Sequence, residues 1–230
     1  MIVIDGKEVF TTLEELVNPK HNALLLVDLQ NDYVKTGGYR AKEGQDSPPP
    51  SIVTRVRTVL ESARRCGIFV VHIQMTQYAN SLAESPASLH TQMLRIRRSD
   101  NEPFQRPSAR CIENTWGWQI ADELVPLPGE TICRKHRGSA FVGTDLDLIL
   151  GSNGIKSVTI TGVVTQGCVM ATAKHALLLD YYPIVLQDCV ASPKKEYHDA
   201  ALMLMASSIF VVNSAEVIKL WSFPSQDSKR

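Results

Sequence analysis

From residue 22 onward, short apolar runs alternate with longer stretches in which apolar residues recur every three or four positions. Asn22-Ala-Leu-Leu-Leu-Val27 is one such run, too short to span a membrane and suited to a strand buried on both faces. Comparable β-forming runs predict strands at 22–28, 68–74, 130–135, 156–161, 183–187 and 209–212. Helical periodicity predicts helices at 51–66, 118–124, 144–152, 168–180 and 195–207, with Gly67, Gly154 and the Pro183 region as punctuation. Repeated strand–helix alternation predicts an α/β fold, a parallel sheet of about six strands with helices on both faces, forming a single domain over 1–230. The first 20 or so residues form an extension whose start reads as a hairpin turning at Asp5-Gly6. Two stretches break the alternation. Residues 35–50 carry Gly37-Gly38 and Pro48-Pro-Pro50, and 76–117 is a long insertion between the second and third strands, expected to overhang the active site as a lid.

Composition narrows the function classes. A chain of 230 residues that is 44% hydrophobic and 21% charged can bury one full core. Its 24 basic and 24 acidic residues cancel, so neither nucleic acid nor another polyanion is an expected partner. No apolar run is long enough for a membrane helix, and the N-terminus lacks the basic start and apolar core of a signal peptide. Five cysteines without a CxxC pair argue against a disulfide framework and for a reducing, cytoplasmic setting.

Candidate chemistry lies at three predicted strand ends. Cys168 follows the strand run Ser157-Val-Thr-Ile-Thr-Gly162 and a turn with Gly167, at the start of a predicted helix. Unpaired N–H groups and the helix dipole there favour a thiolate and could hold an oxyanion. A buried cysteine acting as a small hydrophobe is the plainer alternative. Asp28 closes the first strand, where chemistry collects in open parallel sheets, although a capping or turn aspartate fits the same position. Lys135 closes the third strand beside Gly138-Ser139, where a lysine taken alone is usually a solvated surface charge.

Taken in order, three blocks resemble the isochorismatase-like superfamily of cysteine hydrolases, which includes nicotinamidases, N-carbamoylsarcosine amidases and ureidoacrylate or biuret amidohydrolases. They are Leu26-Val-Asp-Leu-Gln-Asn-Asp-Tyr33 with Gly37-Gly38; Lys135 with Ser139-Ala-Phe-Val-Gly-Thr-Asp-Leu146; and Gly162-Val-Val-Thr-Gln-Gly-Cys-Val169 with Thr172-Ala173. The resemblance implies a triad of Cys168 as nucleophile, Asp28 as base and Lys135 as electrostatic partner. It also implies a cis peptide between Val163 and Val164, with the backbone N–H groups of Val164 and Cys168 as the oxyanion hole. Isochorismatases that cleave an enol ether lack this cysteine, so Cys168 points to C–N hydrolysis through a thioester. An ammonium beside the thiol is expected to lower its pKa.

Substrate-binding candidates are Gln30, Asn31 and Tyr33 just after Asp28, and Arg97, Arg98 and Trp116 in the insertion, where an arginine would clamp a substrate carboxylate. Nicotinamidases in the superfamily hold zinc through an Asp-x-His pair after the second strand. The corresponding Val71-His-Ile-Gln-Met-Thr-Gln-Tyr-Ala-Asn80 has none, and His72 lies in an apolar strand. No metal and no other cofactor are expected, and nicotinamide is disfavoured. The expected partners are a small-molecule substrate and further copies of the chain, as a dimer or tetramer. A catalytically silent binding module, or a redox protein using the Cys168 thiol, remain the alternative classes.

Overall fold

The structure, a computed structural model, describes residues 1–39, 51–96, 101–105 and 109–222. The N-terminal hairpin pairs β1 (Ile2–Ile4) with β2 (Lys7–Val9), and its turn places Asp5 at φ 50° and Gly6 at φ 76°. Two successive positive φ values are what a two-residue turn matching strand twist requires, and Asp-Gly supplies them cheaply.

Six parallel strands follow: β3 (Asn22–Val27), β4 (Phe69–Met75), β5 (Thr131–Lys135), β6 (Ser157–Val163), β7 (Tyr182–Ala191) and β8 (Phe210–Val212). They lie in the order β5-β4-β3-β6-β7-β8. The chain thus builds outward from β3 in one direction, then returns to its other side and builds the opposite way. That reversal opens a crevice at the carboxyl ends of β3 and β6.

Side-chain alternation on β3 divides the core. Leu24 and Leu26 face one layer, with Val56, Val59 and Leu60 of α3 (Ser51–Arg65) and Trp221 of α8 (Ser214–Ser222). Ala23, Leu25 and Val27 face the other. There they meet Leu146 and Leu150 of α5 (Leu146–Ser152), Ala173 and Ala176 of α6 (Met170–Leu178), and Met205 of α7 (Lys195–Ala206). Both faces of a parallel sheet are covered, which is why β3 reads as a continuous apolar run. Gly67 (φ 69°) and Gly154 (φ 65°) end α3 and α5 in the left-handed turn that glycine adopts without a Cβ clash. In each case the next residue donates back five positions, Ile68 to Ala63 and Ile155 to Leu150, both at 3.0 Å.

Several sequence expectations need correction. The segment 118–124 is not an α-helix but two 3-10 turns, Trp116–Trp118 and Asp122–Leu124. Its backbone is spent on residues 29–31 instead: Asn31 N donates to Gln119 O (2.9 Å) and Ala121 N to Leu29 O (3.0 Å). The insertion at 76–117 holds a helix, α4 (Pro86–Ile96). The terminal α8 was not anticipated, nor were the single-turn helices α1 (Leu13–Leu16) and α2 (Asn31–Val34). β7 runs ten residues, well past the expected 183–187, with a register irregularity against β6 between Ile160 and Gly162. Among the described residues no helix is long and apolar enough to cross a membrane.

Candidate active site

Asp28, Lys135 and Cys168 converge in the crevice although they leave the sheet from β3, β5 and the turn after β6. Asp28 steps off β3 with φ 55°, turning the chain sharply while its N–H still donates to Ile73 O at 3.0 Å. Gly162 makes the convergence possible. It faces Val27 across the β3–β6 ladder at φ 116°, and a Cβ there would run into the Val27 carbonyl oxygen. Val163 and Val164 are joined by a cis peptide bond, the bond at which one was expected. A single π-helical turn, Thr165–Val169, interrupted by non-helical Gly167 (φ −106°, ψ −110°), then carries Cys168 into α6.

Lys135 is not a surface charge. It is fully buried, and its ammonium has three partners: Asp28 Oδ2 at 2.9 Å, Arg137 O at 3.0 Å and Cys168 Sγ at 3.2 Å. An ammonium has three N–H bonds to give, so these contacts use its whole donor capacity. Burial opposes its charge, but Asp28 and Cys168 outweigh burial and hold the Lys135 pKa above its ordinary value. Asp28 Oδ1 is buried and has no hydrogen-bond partner among the described residues. One carboxylate oxygen is thus held by the lysine and the other is open.

The thiol behaves differently from expectation. Burial and the Asp28 carboxylate together push the Cys168 pKa up to about 11, against the opposing pull of Lys135. The helix start and the ammonium do not win. At neutral pH the resting group is a thiol beside a carboxylate–ammonium pair.

Asp28 and Cys168 line a cavity of about 510 Å³, a size suited to a small molecule, with Lys135 buried behind them. Val164, Gly167 and Cys168 line it beside Asp28, with Tyr33 and Tyr39 on its wall. The isochorismatase domain family matches residues 22–217. The chain belongs to that family. Ureidoacrylate amidohydrolase RutB from Enterobacter sp. (strain 638) is 32% identical over 196 residues, 84% of each chain. An isochorismatase-like hydrolase from Alkaliphilus metalliredigens matches with TM-score 0.72 at 29% identity, over 88% of this chain and 100% of its own. N-carbamoylsarcosine amidase from Thermoplasma acidophilum matches with TM-score 0.65 at 28% identity, over 84% of this chain and 96% of its own. The two relatives named for a substrate are amide hydrolases, the enzyme class expected from the sequence.

Of the expected substrate-binding residues that the structure describes, only Tyr33 lines the cavity. Gln30 is fully buried, and its amide is consumed by main chain: Nε2 donates to Met75 O and Trp118 O at 2.8 Å, and Oε1 accepts from Met75 N at 2.9 Å. Asn31 Nδ2 donates to Trp116 O at 2.9 Å. Both pin the 116–118 turn rather than meet a ligand. Trp116 points outward, 51% exposed and away from the cavity wall. Arg97 and Arg98 lie outside the described residues.

Sequence reasoning missed Asp32 and Tyr39, and noted Arg110 among the arginines of the insertion but favoured Arg97 and Arg98 over it. Asp32 is buried; Oδ1 accepts from Tyr39 N at 3.0 Å and Oδ2 from Cys111 N at 2.6 Å. It thereby clamps Tyr39 and the chain beside Arg110 against the cavity. The signal was available in Gln30-Asn31-Asp32, three polar residues directly after a buried strand, but spacing does not say whether such groups face a ligand or main chain. Gln166 Oε1 and Ser192 Oγ, on two cavity-lining residues, are buried without hydrogen-bond partners among the described residues. Among the described residues no cluster of three or more His, Cys, Asp or Glu side chains could hold a metal ion. His72 is instead tied through Nε2 to Glu130 at 2.9 Å.

Proposed function

We propose that the protein is a cysteine-dependent amidohydrolase that cleaves the C–N bond of a small amide or ureido compound through a thioester at Cys168. The observation that carries this reading is the fully buried Lys135 ammonium lying between the Asp28 carboxylate and the Cys168 sulfur. A buried ion pair contributes little net stability compared with apolar packing, so its retention at a cavity wall calls for a chemical role.

The open Asp28 Oδ1 takes the thiol proton as Sγ forms a bond to the substrate carbonyl carbon. Charge moves from carboxylate to carbonyl oxygen while Lys135 stays protonated, stabilising first the carboxylate and then the passing thiolate. The carbonyl oxygen becomes an oxyanion held by the backbone N–H groups of Val164 and Cys168. As the intermediate collapses, the C–N bond breaks and Asp28 returns its proton to the departing nitrogen, releasing ammonia or an amine. Water then attacks the thioester, giving a proton to Asp28. When the C–S bond breaks, that proton returns to sulfur and restores the thiol.

The relatives that act on ureidoacrylate and N-carbamoylsarcosine support a ureido or carbamoyl substrate class. Cys168→Ser tests the mechanism, because an alcohol lacks the nucleophilicity of the thiol that Asp28 deprotonates. Ammonia release from a panel of ureido and primary amide compounds should vanish in this variant with the fold intact. Wild-type protein should show a substrate-derived acyl adduct at Cys168 by intact mass and peptide mapping. Turnover near the wild-type level in Cys168→Ser would end the cysteine-hydrolase reading.

A further inference from the structure

Arg110 is only 8% exposed and lines the cavity, with its guanidinium 5.1 Å from the centroid of the Tyr39 ring and Tyr33 beside it. Arg64 and Arg134 have carboxylate partners, Glu130 and Glu113. Arg110 has none among the described residues; the groups that act on it are Tyr33, Tyr39 and Cys111. A guanidinium cannot shed its proton in a protein, so its charge must be met where it stands. Burying such a charge without a counter-ion is costly unless a ligand supplies one.

The cavity's charge balance points the same way. Arg95 and Lys194 join Arg110 on its lining, and Asp28, the sole carboxylate there among the described residues, already faces Lys135. Gln166 Oε1 and Ser192 Oγ, buried and without hydrogen-bond partners among the described residues, belong to residues that also line the space. An oxygen acceptor and a hydroxyl in that position suit the N–H groups and carbonyl of an amide or ureide.

We propose that Arg110 is the specificity-determining anchor for a carboxylate on the substrate, so that the enzyme acts on a small ureido or amide acid rather than on its neutral counterpart. The reacting end of that molecule rests on the amidohydrolase reading; the anchored end does not. Tyr39 stacks under the guanidinium and Tyr33 takes one of its five N–H groups, which leaves enough of the fork to meet both carboxylate oxygens.

The test separates binding from turnover. N-carbamoylglycine and its neutral N-methylamide are titrated calorimetrically into the full-length Cys168→Ser protein, which should not consume them. The acid should bind roughly tenfold or more tightly than the amide, the usual scale for a hydrogen bond to a charged group. Adding Arg110→Gln should abolish that preference while leaving amide binding in place, and Arg110→Lys should keep part of it. Equal affinities for the two probes, no measurable binding of the acid, or a preference that survives Arg110→Gln would each overturn the proposal. So would equal weakening of both probes by Arg110→Gln, which would show a structural arginine. If circular dichroism shows Arg110→Gln unfolded, the acid–amide comparison and Arg110→Lys decide the matter alone. Ammonia release by wild-type protein from neither compound would count against these compounds as substrates, leaving the binding result intact.

Discussion

Replacing Lys135 by methionine shortens the side chain by one atom and deletes its charge, stranding an Asp28 carboxylate that is 1% exposed. At an effective dielectric near 20, two unit charges 2.9 Å apart attract by ~6 kcal/mol. Desolvation of both groups opposes most of that, so the pair as a whole adds little to folding. Removing one partner is different: the penalty for the remaining buried charge stays while its compensation goes, at a cost of roughly 3–5 kcal/mol. Lys135→Met should therefore lose that much in urea unfolding followed by tryptophan fluorescence. The double variant Asp28→Asn/Lys135→Met removes both charges and should return to within ~1–2 kcal/mol of wild type. Neither variant should release ammonia at more than about a thousandth of the wild-type rate, because the site acts as a unit. A Lys135→Met protein as stable as the double variant would show that the two charges are not coupled. Substantial turnover in either variant would show that the pair is structural.

The Cys168 thiol, held up at about 11 by burial and Asp28, should be alkylated by iodoacetamide slowly at pH 7 and faster as pH climbs toward that value; peptide mapping that shows a plateau by pH 8 would contradict a protonated resting sulfur. Glu130 is pushed up by burial but pulled down to about 2 by Arg64, the Leu127 N–H and His72, so its stabilising effect is full above its ordinary 4.5 and fades as pH falls toward 2. Glu130→Gln should thus cost roughly 1–3 kcal/mol at pH 7, with a smaller gap from wild type at pH 3, measured by urea unfolding. Gly162→Ala sets a Cβ against the Val27 carbonyl at a φ unfavourable to alanine; it should destabilise by about 3 kcal/mol or more and lower turnover, whereas Gly151→Ala, with open space around its Cβ, should do neither.

How much of this could be read in advance depended on how local the determinants were. β3 was legible because a strand buried on both faces must be apolar throughout, and α3 because Ile52, Val56, Val59 and Ala63 repeat on one buried face. Asp28, Lys135 and Cys168 stood at strand ends, where parallel-sheet topology concentrates chemistry, and they do meet. What failed was set by partners distant in sequence. The propensity of 118–124 for helix lost to ladder-like bonds with residues 29–31. Gln30 and Asn31 have the side chains of ligand-binding residues, yet main-chain carbonyls 45 to 88 positions away satisfy them. The thiol pKa went the other way because the net effect of burial, carboxylate and ammonium depends on ångström-scale distances. Arg110 looked like any other arginine of a basic segment until the fold buried it.

The groups proposed to carry out bond breaking and those facing the rest of the cavity come from different parts of the chain. Asp28, Lys135 and Cys168 are fixed by the sheet, while Gln92 and Arg95 of α4, Arg110 before the 116–118 turn, and Lys194 and Tyr197 at the start of α7 arrive from connecting segments. Such a frame can be retargeted piecemeal. Exchanging a handful of positions in three peripheral segments would redirect the enzyme to a differently charged molecule with its reactive apparatus untouched. The same separation lets a catalyst diversify without first passing through an inactive ancestor.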